Sequence, residues 1–148
     1  MTATQSSTLD DRFIAAKCID GDTGGSDRGG DQVVDLCHTE EEEAPWIAID
    51  YGRTVTVDRV ELFNRVACCG ERTMNVDVRI SDELPTSGSE MFSGGNLLGH
   101  FPGPASNGQH IIIRGKKQLL KNHYLSIFQA KERFLADMAS SSEVKSSC

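Results

Sequence analysis

Short segments in which apolar and polar residues alternate recur along the chain, and they limit the folds that it can adopt. The clearest is residues 74–80, where Met, Val, Val and Ile alternate with Asn75, Asp77 and Arg79. Side chains of a β-strand point alternately to opposite faces, so this pattern predicts a strand with one buried face. Further strands are predicted at residues 46–51, 54–63, 110–114, 124–128 and 134–138. Because no helices of about 10–15 residues separate these segments, the chain is predicted to form an all-β sandwich or barrel.

The segments between these strands are rich in residues that favour turns. Residues 20–31 are rich in Gly and Asp, residues 81–108 are rich in Ser, Gly and Pro, and both are predicted mainly as loops. A short helical turn is predicted within residues 9–17, and the acidic run at 40–43 is predicted to be a solvated loop. The Ser-rich residues 140–148 are predicted to be a disordered tail, which leaves one domain at residues 1–139.

Charge and hydropathy argue against two broad classes of protein. The 148 residues carry 15 Lys and Arg against 22 Asp and Glu, a formal net charge of −7. A protein that tracks nucleic-acid phosphates usually has a basic face, so nucleic-acid binding is not expected. The longest apolar runs, such as residues 111–113, are far shorter than the roughly 20 residues of a membrane helix. No signal peptide is recognisable at the start of the sequence, and we expect a mature or trimmed chain.

Two adjacent cysteines, Cys68 and Cys69, lie in a segment between two predicted strands. Their Cα atoms are about 3.8 Å apart across a trans peptide, whereas residues joined by a disulfide usually lie roughly 4.4–6.8 Å apart. The chemistry leaves two alternatives: a strained ring closed by a disulfide, or two independent thiols. Arg65 and Arg72 flank the pair, and a guanidinium offers several donors and no acceptor.

A ligand with many acceptor oxygens and an apolar face suits such a segment, and a sugar has both. His38, which directly follows Cys37, could add a further donor or acceptor. Each residue also has a plainer interpretation. A surface Arg more often forms an ion pair, and a single His is more often structural.

This region resembles the sugar-binding motif of the F-type lectins, or fucolectins, in which a His and 26 further residues precede Arg-x-Asp-Cys-Cys-x-x-Arg. Here 26 residues separate His38 from Arg65, and Cys68, Cys69 and Arg72 follow at the same spacing. The resemblance covers roughly residues 2–139 and includes the segments 5–8, 19–22, 37–39 and 45–50. Three differences stand out: Ala67 replaces the Asp of the motif, residues 24–30 form a Gly-rich insert, and the usual first strand before residue 5 is missing.

The resemblance implies a jelly-roll-like β-sandwich, similar to galactose-binding domains, that binds terminal L-fucose without catalysis. His38, Arg65 and Arg72 would bond the oxygens of the sugar, and a disulfide between Cys68 and Cys69 would pack against its apolar face. The partners would be fucosylated glycans and glycoproteins. Oligomerisation would bring several weak sites together and raise the avidity.

The resemblance also implies a structural Ca²⁺ that does not touch the sugar. Calcium takes oxygen ligands from carboxylates and backbone carbonyls. The corresponding residues are Lys17, Asp20, Asp22, Asp35, Ala136 and Asp137, of which Lys17 and Ala136 would act through their carbonyls. Judged without the resemblance, an Asp-Gly loop is more often a plain turn.

A second disulfide follows from the same resemblance. Cys18 and Cys37 flank the predicted calcium loop, and Ala136 stands where the family often has a Cys near the last strand, so Cys18 is expected to pair with Cys37. Two disulfides would indicate an oxidising, extracellular setting. Cys148 would be left over, either as a thiol or as a link between two chains.

Two other functions remain open at this point. One is the same fold with a degenerate sugar site that serves protein or cell-surface adhesion, with Ala67 as its first sign. The other is an enzyme in which Cys37 and His38 act as nucleophile and base, or in which the adjacent Cys68 and Cys69 are redox-active. Neighbours on a strand point to opposite faces, which argues against the nucleophile and base pair.

Overall fold

The computed structural model describes residues 1–23, 36–82, 95–120, 124–129 and 136–141. Within these ranges the chain forms nine strands and two short 3₁₀ helices. The strands are β1 (Thr2–Gln5), β2 (Cys37–His38), β3 (Trp46–Asp50), β4 (Val55–Asn64), β5 (Val76–Ser81), β6 (Asn96–Phe101), β7 (His110–Leu120), β8 (Tyr124–Gln129) and β9 (Ala136–Ser141). The first 3₁₀ helix is Ala15–Ile19 and the second is Gly70–Arg72. In the ranges given, no helix has the length and apolar character needed to cross a membrane.

The strands form two sheets. The five-stranded sheet has the order β1-β3-β8-β5-β6, and the four-stranded sheet has the order β2-β9-β4-β7. Neighbouring strands are antiparallel in both sheets. The all-β sandwich that the sequence predicts is therefore confirmed.

The core is built from the alternating apolar positions of both sheets. Val76, Val78 and Ile80 of β5 are buried, as the alternation predicts, and they share one cluster with Val60 and Leu62 of β4. The other buried members of this cluster are Ile49, Tyr51, Val55, Val57, Leu98, Ala105, Ile111, Ile113, Leu125 and Ile127. Burying a side chain of this size contributes about 1.5–3 kcal/mol, so the alternation determines which face of each strand lies inside.

The break that the sequence indicates near residues 58–59 is present in β4. The register of β4 against β7 shifts between Val57 and Arg59. Val57 and Val60 are both buried although they are three residues apart, which a regular strand does not allow. The irregularity therefore keeps both halves of β4 facing the core.

Three strands lie where the sequence predicts none: β1, β2 and β6. β2 has only two residues, Cys37 and His38, and is too short to show a pattern. β6 falls within residues 81–108, which were expected to be mainly loop, and Leu98 is its one buried residue. A single buried side chain gives no alternation to recognise. β1 precedes Ser6, where a first strand was expected to be missing, and it pairs with β3 from Thr2 opposite Asp50 to Gln5 opposite Ile47. Its residues are mostly polar, so the pairing depends on main-chain hydrogen bonds that leave no pattern in the sequence.

Several boundaries differ from those predicted. The helical turn expected within residues 9–17 is the 3₁₀ helix Ala15–Ile19, and β7 continues six residues beyond the predicted end, to Leu120. β9 includes Ser140 and Ser141, so the last strand extends into the segment expected to be the tail. The Gly-rich insert at 24–30 and residues 142–148, with Cys148, lie outside the described residues.

Candidate functional site

β2 and β4 end at the same end of the four-stranded sheet, on either side of β9. His38 is the last residue of β2, and Arg65 directly follows β4. β2 and β4 both pair with β9, and Cys37 and Asn64 lie opposite the same residue, Met138. His38 and Arg65 come next in the sequence, so their backbones are two strand spacings apart, about 10 Å. Side chains of this length can reach a single sugar ring placed between them.

His38 is a buried imidazole, 6% exposed, whose direction is defined by its neighbours. Its Nδ1 bonds the carbonyl oxygen of Thr39. A carbonyl only accepts, so Nδ1 carries the hydrogen, and Nε2 of the neutral ring is then an acceptor. The ring of Phe13 meets the imidazole edge-on, with 5.6 Å between the ring centroids.

The backbone of His38 is enclosed by the N-terminal segment. Its N–H donates to the carbonyl of Phe13 at 3.2 Å, and its own carbonyl accepts from the N–H of Leu9 at 3.1 Å. The same carbonyl accepts from Nε2 of Gln5 at 3.3 Å. We call this region, residues 5–19 and 36–39, the His38 wall.

Arg12 and Asp10 form an ion pair within the His38 wall. The Arg12 side chain donates to both carboxylate oxygens of Asp10, at 3.0 and 2.8 Å, and its backbone N–H donates to the same carboxylate at 2.9 Å. These hydrogen bonds, those of the side chain first, hold the pKa of Asp10 below its ordinary value. The Arg12 guanidinium also lies 5.4 Å from the centroid of the Phe13 ring.

The disulfide between Cys18 and Cys37 that the resemblance implies is confirmed. The two Cα atoms are 5.4 Å apart, within the usual range for a disulfide. Both residues are buried and pack with Ile47, so the bond fastens the first 3₁₀ helix to β2 next to His38. The residues are 19 positions apart in the sequence, and closing such a loop stabilises the fold by roughly 3 kcal/mol in the chain-entropy model.

The segment that carries the two arginines is held by one buried side chain. We call residues 65–73 the Arg loop. The amide nitrogen of Asn64 donates to the carbonyls of Gly70 and Ser106, both at 2.9 Å, and its oxygen accepts from the hydroxyl of Thr73 at 2.9 Å. Asn64 is 2% exposed, so these bonds form inside the protein and fix the loop to the chain around Ser106.

Gly70 brings the Arg loop into close contact with the segment after β6. Its N–H donates to Oδ1 of Asn107 at 2.7 Å, and a Cβ at this position would lie 2.6 Å from the backbone nitrogen of Asn107. The N–H of Gly108 donates to the carbonyl of Arg65 at 2.6 Å. A residue with a side chain does not fit at position 70 unless the backbone moves.

Arg65 and Arg72 stand at the two ends of the Arg loop. Arg65 is buried, and Arg72 is half-buried at the end of the second 3₁₀ helix. The N–H of Arg72 donates to the carbonyl of Cys69 at 3.1 Å, which closes one helical turn. The structure therefore brings the segments of all three residues, His38, Arg65 and Arg72, to one end of the four-stranded sheet.

The predicted disulfide between Cys68 and Cys69 is wrong for this structure, in which both residues are thiols. Cys68 is exposed, and Cys69 is partly buried in a left-handed conformation with φ 62° and ψ 23°. The physical reason is the one raised above, since adjacent Cα atoms are too close for an unstrained disulfide. Cys69 instead precedes the second 3₁₀ helix. Ala67, where the motif has Asp, is exposed.

Three of the residues implied as calcium ligands lie at the end of the first 3₁₀ helix. Lys17 belongs to the helix, and Asp20 follows its last residue. Oδ1 of Asp20 accepts from the N–H of Asp22 at 2.9 Å, so the two carboxylates share one tight turn. Both aspartates are exposed and are hard oxygen donors of the kind that Ca²⁺ prefers.

The other three implied ligands are placed only in part. Ala136 and Asp137 begin β9, and Ala136 lies opposite His38. Asp35 lies outside the described residues. Among the residues that are described, no group of three or more His, Cys, Asp and Glu side chains is arranged to hold a metal.

The acidic run at 40–43 is exposed at Glu40, Glu41 and Glu43, as the sequence predicts, and Glu42 is half-buried. Glu42 accepts hydrogen bonds from the hydroxyls of Ser6 and Ser7. Ser7 also accepts from the N–H of Glu40 at 2.9 Å. One carboxylate of the run thus ties the residues after His38 to the N-terminal segment.

Sequence reasoning missed the three side chains that support the site, Gln5, Asn64 and Asn107. Their partners are 33, 42 and 37 residues away in the sequence. One signal was available: Asn64 continues the buried alternation of Val60 and Leu62, and a polar residue at a core position needs internal partners. Gln5 and Asn107 carry no such signal.

A family model described as a NedA-like galactose-binding domain matches residues 17–96, just over half of the chain. A pentraxin fusion protein from Xenopus laevis is 32% identical over 84 residues, which make up 57% of this chain and 19% of the relative. The chain therefore spans about a fifth of the length of that relative.

Solved structures with the same fold include three that are named for lectins or fucose binding. The fucolectin from striped bass (Morone saxatilis) serum has a TM-score of 0.76 and 22% identity, over 93% of this chain and 44% of that one. The lectin domain of lectinolysin, complexed with Lewis B antigen, has a TM-score of 0.73 and 22% identity, over 99% of this chain and 93% of that one. A Streptococcus pneumoniae fucose binding module has a TM-score of 0.69 and 20% identity, over 93% of this chain and 86% of that one.

These matches agree with the two antiparallel sheets. The family model covers the end of the first 3₁₀ helix, the disulfide, the Arg loop and strands β2 to β5. The chain belongs to the NedA-like galactose-binding domain family, and its fold is that of the F-type lectins.

Proposed function

We propose that the protein is a non-catalytic lectin domain that binds terminal L-fucose on glycans. The proposal rests on the positions of His38, Arg65 and Arg72. They lie at one end of the four-stranded sheet, on two segments that are held by separate contacts. Proteins of the same fold include a fucolectin, a fucose binding module and a lectin domain complexed with Lewis B antigen, which supports the choice of sugar.

The chemistry of these residues suits a sugar. Arg65 and Arg72 donate hydrogen bonds to hydroxyl and ring oxygens, and Nε2 of His38 accepts one from a hydroxyl. Hydrogen bonds that involve a charged group contribute about 1.5–3 kcal/mol each. Cys68 and Cys69 offer polarizable surface to the C–H face of the ring. Fucose has a methyl group where galactose has a hydroxymethyl group, so apolar surroundings favour it.

No bond of the ligand is broken in this proposal. The sulfur of Cys37 is bonded to Cys18, so Cys37 has no thiol to act as a nucleophile beside His38. A nucleophile must be deprotonated or activated by a neighbouring base, and a disulfide sulfur offers neither route.

We propose that a bound Ca²⁺ stabilises the His38 wall. The turn with Asp20 and Asp22 would supply carboxylates, and the start of β9 would supply the Ala136 carbonyl opposite His38. The first 3₁₀ helix lies against β9, so such an ion would join the two segments that flank His38. It would act on the sugar site through the position of β2, without contact with the sugar.

We propose an extracellular location and multivalent binding. The disulfide between Cys18 and Cys37 is typical of an oxidising compartment. A single lectin site with a millimolar dissociation constant gains only about 4 kcal/mol, so useful binding to a cell surface needs several sites held together. Homo-oligomers would provide them.

The proposal is tested by calorimetric titration of the protein with L-fucose and with D-galactose, with added Ca²⁺ and with a chelator. We expect saturable binding of L-fucose, weaker binding of D-galactose, and a lower affinity in chelator. Arg72→Ala should reduce the L-fucose affinity at least about tenfold, because it removes charge-assisted hydrogen bonds.

Arg53→Ala is the matched control for Arg72→Ala. Arg53 is exposed and precedes β4 at the end of the strand opposite the Arg loop, about 30 Å away. Its replacement should leave the L-fucose affinity unchanged. If the wild-type protein is silent towards L-fucose and across a glycan array, the lectin proposal fails, and the adhesion function suggested by Ala67 becomes the better interpretation.

A further inference from the structure

Gln5 lies where the five-stranded sheet meets the His38 wall. It is the last residue of β1, which pairs with β3, whereas His38 belongs to the four-stranded sheet. The side-chain nitrogen of Gln5 donates to the carbonyl of Phe13 at 3.0 Å and to the carbonyl of His38 at 3.3 Å. The hydroxyl of Thr8 is a third acceptor, at 2.8 Å, so the two hydrogens of the amide are shared among three oxygens. The amide of Gln5 therefore connects β1, in the five-stranded sheet, to His38, in the four-stranded sheet. It also connects β1 to Phe13, whose ring contacts the imidazole of His38.

The strand that carries His38 is too short to fix the direction of its side chain alone. β2 has two residues, and its register against β9 shifts between Cys37 and His38. A strand of this length has few main-chain hydrogen bonds of its own. Its other edge is closed by the segment from Leu9 to Phe13, which Gln5 holds in place. The direction of the imidazole thus depends on groups outside the sheet.

The amide of Gln5 can be oriented in only one way. If it were turned over, its oxygen would face the carbonyl oxygens of Phe13 and His38, and two acceptors repel each other. In the orientation observed, Oε1 is buried and accepts no hydrogen bond from any described residue. A buried acceptor without a donor is costly, and such groups in native proteins call for an explanation beyond stability.

We propose that Gln5 is a positioning residue for the imidazole of His38. By joining the carbonyls of Phe13 and His38, it keeps the Phe13 ring against the imidazole and keeps Nδ1 directed at Thr39. The tautomer in which Nε2 is the acceptor is thereby favoured. The consequence for sugar binding rests on the proposed function, whereas the effect on the His38 ring is a property of the protein without ligand.

The inference is tested with Gln5→Met, which preserves the length of the side chain and removes its donors. Nitrogen-15 NMR of the imidazole reports which ring nitrogen carries hydrogen, and it is measured on the protein without sugar. We expect the His38 signals to show a loss of the Nδ1–H form, and the L-fucose affinity to fall about fivefold to tenfold. Thr8→Val is the matched control, because it removes the third contact of Gln5 and leaves both carbonyls bonded. It should change neither quantity.

A lower melting temperature for Gln5→Met, with unchanged His38 ring signals and unchanged L-fucose affinity, would overturn the inference, because Gln5 would then be only structural. If Gln5→Met does not fold, Gln5→Asn withdraws the same donors by one methylene and is expected to shift the ring signals likewise. If no variant, including the wild type, binds L-fucose, the proposed function fails, and the ring signals still decide the role of Gln5.

Discussion

The His38 wall and the Arg loop lie at the same end of the four-stranded sheet, on either side of β9, and they are held by different physical means. The His38 wall is fastened by a covalent bond, between Cys18 and Cys37, and by main-chain hydrogen bonds of His38 to Leu9 and Phe13. The Arg loop has no disulfide among the described residues. It is held by the buried amide of Asn64 and by the close approach of Gly70 to Asn107.

This difference determines how mutations in each region should affect the stability of the protein. A disulfide stabilises mainly by restricting the unfolded chain, so its loss lowers stability without necessarily leaving a native group unsatisfied. A buried amide acts in the folded state, and its removal leaves buried carbonyls without their donors. Because the two sets of contacts share no residue, their effects on stability should be nearly additive.

Loss of the disulfide should have the largest effect on stability. We expect Cys18→Ala with Cys37→Ala to lower the free energy of unfolding by roughly 3 kcal/mol, measured by guanidinium denaturation. The control is Cys68→Ser with Cys69→Ser. These residues are thiols in the structure, so the change should be below about 1 kcal/mol. A loss clearly above about 1 kcal/mol in the control would contradict the thiol state of Cys68 and Cys69.

Removal of the buried amide comes next. We expect Asn64→Ala to lower the free energy of unfolding by about 2–3 kcal/mol, because the carbonyls of Gly70 and Ser106 lose their donor. NMR signals of the Arg loop should shift, while those of His38 stay in place. Asn96→Ala, at an exposed position of β6, should cost less than about 0.5 kcal/mol. Large shifts at His38 would show that the two sides are coupled.

Strands could be predicted where one buried face places an apolar residue at every second position of the sequence. β5 and β4 alternate strictly enough to be recognised, including the irregularity after Val57. β1 and β6 were missed because they are held mainly by pairing with a neighbour, and such pairing places little demand on residue type. β2 was missed because two residues are too few to show a period. The last strand was located, but its end was placed too early because Ser140 and Ser141 resemble a tail.

The site was predictable only where its residues form a motif. The spacing from His38 through Arg65 to Arg72 carried the resemblance, and the pairing of Cys18 with Cys37 followed from it. The same resemblance led to the wrong pairing of Cys68 and Cys69, because a motif specifies residue types and not the bonds between them. Gln5 and Asn64 bond main-chain carbonyls, which every residue has, so no partner could be identified from the sequence.

A side chain at Gly70 should affect the Arg loop alone. We expect Gly70→Ala to lower the free energy of unfolding by about 1–2 kcal/mol, since the new Cβ would lie 2.6 Å from the backbone of Asn107 and the chain must move. The L-fucose affinity should fall with it, because Arg72 is two residues away. Gly52→Ala is the control: its φ of 63° makes a side chain strained, but nothing lies within 4 Å. It should cost a similar amount of stability and leave the affinity unchanged.

The smallest expected effect is that of pH on the free energy of unfolding, through Glu61 in β4, the strand that precedes the Arg loop. Glu61 of β4 bonds Nε2 of His110 at 2.8 Å and pairs with Nε of Arg59 at 2.8 Å. Burial raises the pKa of Glu61, but these bonds outweigh it, so the pKa lies below the ordinary value. A lowered pKa in the folded state means that the ionised carboxylate stabilises the fold above the pKa of the unfolded chain. That contribution, below about 1 kcal/mol, is lost as the pH falls through the folded-state pKa. The difference in unfolding free energy between wild type and Glu61→Gln should therefore shrink between pH 7 and pH 3, and a difference that grows in acid would contradict this assignment.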